Sequence, residues 1–184
     1  MTSLLSSSRV GLGRIMVVLA TAFAVMVGLS ANAAADPPTR APNVLPADPF
    51  IFTDTLGEDP CVFPVLLAIT TNKEILTTFT QRSGVTVIHT TGALKVRLTN
   101  TTTGTTIDRN ISGPILATVN ADGSTTQKGI GPALWVFDPG VAPALPRLVI
   151  IYGRTQSILG QAPADFRFIS MTGHSEDICA ALAP

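Results

Sequence analysis

The sequence predicts an all-β domain: an antiparallel meander of about eight to ten strands, closed into a small β-barrel and followed by a short C-terminal helix. Three observations point there. Residues 61–184 contain nineteen threonines together with many Val, Ile and Leu, and β-branched side chains lose little χ1 freedom on a pleated sheet. Gly, Asn and Asp punctuate that stretch at short intervals, as turns between short strands require. Cys61 and Cys179 stand at its two ends, so one disulfide would staple the first element to the last. A two-sheet β-sandwich satisfies the same alternation and is the alternative.

Residues 1–35 read as a secretory signal peptide. Arg9 and Arg14 precede an apolar stretch over 15–29, and Ser30-Ala31-Asn32-Ala33-Ala34-Ala35 supplies small residues for cleavage. A spanning helix needs about 20 apolar residues, so no transmembrane segment is expected in the mature chain, which is placed outside the cell or at the envelope. Residues 36–60 carry six prolines, one basic and five acidic residues. Proline removes a backbone donor, so this stretch reads as an acidic, extended linker. Its apolar island, Pro49-Phe50-Ile51-Phe52, reads equally as a docking segment or a first edge strand.

The strands follow in order. Residues 63–70 are apolar on both faces at their start, hence buried. Residues 73–80 follow Thr71-Asn72, and 85–91 follow a polar turn. Leu94, Val96 and Leu98 then alternate with Lys95, Arg97 and Thr99, one face dry and one wet. With Thr101-Thr102-Thr103-Gly104 as the turn, Leu98 should face Ile107 and Leu94 should face Ile111. Residues 115–119 and 125–129 form a hairpin across Ala121-Asp122-Gly123-Ser124. Strands at 133–137, 148–152, 157–159 and 166–171 complete the set. Ser175 should cap a terminal helix, with Glu176 and Asp177 in its first turn.

Short motifs at Cys61-Val62-Phe63-Pro64-Val65, the Leu98-Thr99-Asn100 to Gly104 hairpin, Asn110-Ile111-Ser112-Gly113-Pro114, Asp138-Pro139-Gly140 and Asp177-Ile178-Cys179-Ala180-Ala181-Leu182 resemble those of small secreted actinobacterial proteins of uncharacterised function. The resemblance spans roughly residues 61–182. It implies a β-rich extracellular fold and supplies no catalytic residue.

Twelve basic residues balance twelve acidic ones, which argues against a nucleic-acid binder. The balance divides unevenly: net −4 over 36–60 and net +2 over 61–184. No nucleophile elbow, P-loop or H-E-x-x-H zinc motif occurs. Two cysteines and two histidines match no metal-ligand spacing, so neither metal nor cofactor is expected. His174-Ser175-Glu176-Asp177 does not make a triad, because triad roles need converging side chains. The candidate ligand-binding residues are His89, Arg109, Trp135 and Tyr152. Arg109 lies between Ile107 and Ile111 on the dry face, and His89 shares the parity of Val85 and Val87. A hollow barrel would present them inward to a small apolar or hydroxylated ligand. The expected function is therefore a secreted, non-enzymatic binding module for a small ligand, an envelope component or a protein. The alternatives are a structural module of the cell envelope and a barrel-pocket enzyme such as a cyclase or isomerase.

Overall fold

Turn residues set the hairpins. A computed structural model describes residues 37–54, 57–81, 83–161 and 165–184, so the signal-peptide expectation lies outside the described residues. Among the described residues eleven strands precede one α-helix: β1 Thr39–Pro42, β2 Phe50–Ile51, β3 Val65–Asn72, β4 Ile75–Thr80, β5 Thr86–Thr91, β6 Leu94–Asn100, β7 Thr106–Asn110, β8 Ile115–Val119, β9 Thr125–Val136, β10 Leu148–Leu159, β11 Arg167–Asp177 and α1 Ile178–Ala181. The β6–β7 hairpin takes the expected register, with Leu98 opposite Ile107 and the Ile111 N–H donating to the Leu94 carbonyl at 2.9 Å. Asn100 organises its turn: its Oδ1 accepts from the Thr102 N–H at 2.9 Å.

The strands do not close into a barrel. They form two antiparallel sheets, a seven-stranded one in the order β1-β4-β5-β8-β9-β10-β11 and a four-stranded one in the order β2-β3-β6-β7. The sandwich alternative is the arrangement that fits. The reason lies in a line of breaks crossing every long strand. β3 passes into β4 at 73–74, β5 into β6 at 92–93 and β7 into β8 at 111–114. Each time the chain leaves one sheet for the other. In β9, β10 and β11 the line continues as Gly131, Gly153 and Gly173, which stand directly opposite one another. The backbones approach closely here: a Cβ on Gly153 would lie 1.8 Å from the Thr172 carbonyl oxygen, and one on Gly92 would lie 2.2 Å from that of Lys73. Gly92 and Gly173 also have φ of 130° and 101°, values that L side chains avoid. Across this crease β3, β6 and β7 leave the large sheet and pack over the far halves of β9–β11.

The main core fills the space between the sheets. Val65, Leu67, Val96 and Leu98 of the small sheet meet Leu148 and Ile150 of the large one, with Phe52, Ile178 and Leu182 closing the ends. These buried side chains each contribute on the order of 1.5–3 kcal/mol. A second cluster covers the opposite face of β10, where Val149 and Ile151 pack with Trp135, Phe137, Phe168 and the 138–147 loop. Apolar residues on both faces of residues 148–151 therefore reflect two separate cores.

The proline-rich stretch is joined to both sheets. β1 pairs with β4, β2 pairs with β3, and Asp54 forms an ion pair with Arg147. Cys61 and Cys179 are disulfide-bonded with Cα atoms 5.5 Å apart. The helix cap is Asp177, whose Oδ1 accepts from the Ala180 N–H at 3.0 Å. Ser175 and Glu176, expected in the helix, belong to β11 instead. Among the described residues no helix is long and apolar enough to cross a membrane.

Candidate functional site

The structure brings two of the four candidate residues together and separates the other two. Arg109 on β7 and Tyr152 on β10 meet through Glu176 of β11. Trp135 lies in the second aromatic cluster, stacked on Phe137 at 6.0 Å between ring centroids. His89 sits on β5, opposite Thr77 and Leu116. With no closed barrel, the four share no interior.

At the rim between the sheets, the Arg109 Nε–H donates to Glu176 Oε1 at 2.9 Å, and the Tyr152 hydroxyl donates to Glu176 Oε2 at 2.9 Å. The ring of Tyr152 stacks on His174 at 4.8 Å. Hydrogen bonding by Arg109 holds the Glu176 carboxyl below the ordinary carboxylate range, against an opposing effect of burial. Partial burial, reinforced by the hydrogen bond to Glu176, raises the Tyr152 hydroxyl. Arg109 and Glu176 are 28% and 26% exposed. Each group is committed to another: the carboxylate accepts from Arg109 and Tyr152, and a further guanidinium N–H donates to the Asp108 carbonyl at 2.9 Å. The cluster is chemically suited to clamping the small sheet to the large one. A ligand here would have to replace those bonds or leave a part-buried charge uncompensated.

A cavity of about 70 Å³ lies at the crease end of the main core, lined by Leu94, Val96, Ile111, Leu134 and Glu74 among others. Ligand pockets for drug-sized molecules run to about 300–1,000 Å³, so this space suits packing irregularity better than a substrate. Glu74 is its one ionisable wall. Burial pushes its carboxyl up, and the 2.8 Å hydrogen bond donated by Asn43 Nδ2 only partly offsets that.

The third surface is the open face of the large sheet on the other side of the crease. Directly opposed residues in an antiparallel sheet share a face. One transverse row therefore runs Arg40, Thr77, His89, Leu116, Lys128 and Gln156. Adjacent rows place Ile130 with Arg154 and Ile158 with Arg167 on the same face. Arg40, Lys128, Arg154 and Arg167 are all exposed, and none forms an ion pair with a described residue. Between them Ile75, Phe79, Leu116 and Ile130 are 39–59% exposed. No Asp or Glu occurs in β1, β4, β5, β8, β9 or β10, and the two in β11, Glu176 and Asp177, lie beyond the crease. The opposite face of these same strand halves carries uncharged residues such as Ile88, Ala117, Gln127, Thr155 and Ser157.

Sequence reasoning singled out His89 for the interior of a barrel rather than for this face, and missed the four cations. Strand parity fixes a residue's face only within its own strand. Sorting the cations onto one side needs the register between seven strands, five of them beyond the legible hairpins.

No family model, curated protein or solved structure matches the chain.

Among the described residues no group of His, Cys, Asp and Glu is arranged to hold a metal ion.

Proposed function

We propose that the chain is an exported, non-enzymatic β-sandwich module that binds a component of the cell envelope through the open face of its large sheet. The carrying observation is the sorting of Arg40, Lys128, Arg154 and Arg167, without an ion-pair partner among the described residues, onto one face whose strand positions carry exposed apolar side chains and no Asp or Glu. A one-signed field of this kind attracts anionic partners. The disulfide supports assembly in an oxidising compartment, as does the leader-like 1–35 sequence. Against a pocket enzyme stand the small cavity and the mutual consumption of Arg109, Glu176 and Tyr152.

Fractionation of producing cells tests this reading. The protein should sediment with the envelope and begin, by N-terminal sequencing, after Ala33 or Ala35. Recovery wholly in the cytosol with residue 1 intact, or wholly in the medium with no affinity for isolated envelopes, would overturn it.

A further inference from the structure

Resting on that reading, we infer that the open face docks on the surface of an anionic lipid bilayer, with its cations among the headgroup phosphates and its apolar side chains at the acyl boundary. The face has the required dimensions. From Arg40 on β1 to Lys128 on β9 the row crosses four strand spacings, about 19 Å at ~4.8 Å each, and Arg154 and Arg167 extend it further. Among the described residues its four cations have no ion-pair partner, and all four are exposed. Its apolar residues are spaced singly between the charges, an alternation that suits the boundary between headgroups and acyl chains.

Other occupants fit less well. A second copy docking by the same face would bring four cations against four, with no carboxylate to relieve the repulsion. The chain's own acidic stretch is already engaged, with β1 and β2 paired into the sheets and Asp54 bound to Arg147. Single-stranded nucleic acid is held largely by aromatic stacking platforms, and Phe79 is the one Phe, Tyr or Trp among the face residues named above.

The test is cosedimentation of the exported protein with vesicles of phosphatidylcholine alone and of phosphatidylcholine mixed equally with phosphatidylglycerol. Binding should require phosphatidylglycerol and weaken at high salt. The neutral vesicles read any contribution from a retained apolar leader. Lys128→Gln with Arg154→Gln should weaken binding by roughly fivefold per cation removed. Lys95→Gln with Arg97→Gln, an equal charge loss on exposed residues of the small sheet, should leave it unchanged. Ile130→Ser should weaken binding to the anionic vesicles without changing its salt dependence. Equal binding to both vesicle types, or equal losses in the two double variants, overturns the inference. So does preference for heparin or single-stranded DNA over anionic vesicles, or a dimer that Lys128→Gln and Arg154→Gln strengthen. Retained affinity for isolated envelopes without vesicle binding would sink the lipid assignment alone; loss of both would sink the envelope reading too.

Discussion

Two glutamates show how the same side chain is driven in opposite directions by its surroundings. Glu176, held by Arg109 and Tyr152, ionises more readily than in an unfolded chain. Its contribution to stability is present above the ordinary carboxylate value and is lost as pH falls through the folded-state value. Glu74, buried beside the cavity, holds its proton to higher pH than the unfolded chain does. Its contribution is full below the ordinary value and is lost as pH rises through the raised one. Glu74→Gln keeps an acceptor for Asn43 and removes the ionisable proton. Urea unfolding across the acid-to-neutral range should show the variant gaining on the wild type as pH rises; parallel curves would remove Glu74 from the account. The sequence made Arg109 legible, because its parity with Ile107 and Ile111 pointed it at the core. Its partner was hidden. Ser175-Glu176-Asp177 has the composition of a helix start, yet pairing with 149–151 extends β11 through Asp177. Tertiary pairing overrode a local cap signal that only Asp177 fulfils.

At the scale of elements, hairpins were readable and breaks were not. The turns at 101–104 and 121–124 carry their own chemistry: the Asn120 side chain donates to Ser124 Oγ at 2.9 Å, and Asp122 Oδ1 accepts from the Ser124 N–H at 2.9 Å. Glycine, by contrast, reads as an end in sequence. The expected strands 125–129 and 133–137 are one strand, β9, and those at 148–152 and 157–159 are one strand, β10. Gly131 and Gly153 mark the crease within these continuous strands. Gly153→Ala forces a Cβ into the Thr172 carbonyl and should cost upward of about 2 kcal/mol, as overpacking does. Gly84→Ala, at φ 81° with nothing within 4 Å of the added carbon, should cost only about 1 kcal/mol. Thermal or urea unfolding of the pair separates crowding from dihedral strain; equal losses would mean that the crease is not tightly packed at Gly153.

For the whole molecule, the sequence conveyed strand content and the staple, but neither closure nor the pairing of β1 with β4, β5 with β8 and β3 with β6. A barrel and a creased sandwich share the same alternation, and they differ in long-range pairing that no local pattern encodes. An open sandwich leaves strand edges, and each is blunted. β1 is four residues long and ends in Pro42, β2 is two residues long, β7 carries Asp108 and Arg109, and β11 has a register shift where it pairs with Gln156 and Ser157. Such features discourage edge-to-edge association. The disulfide spans 118 residues, and removing it as Cys61→Ser with Cys179→Ser should cost up to about 5 kcal/mol on chain-entropy grounds. Urea unfolding of this double variant would show an unchanged midpoint if the bond were idle. The same bond also orders events in time. Ile178 and Leu182 plug the main core, and the Asn100 side chain donates to the Leu182 carbonyl at 3.2 Å. A nascent chain that has not yet reached residue 178 therefore lacks both the plug of the main core and the partner of Cys61. Synthesis from N- to C-terminus therefore supplies the strands first, and the plug and the staple only after them.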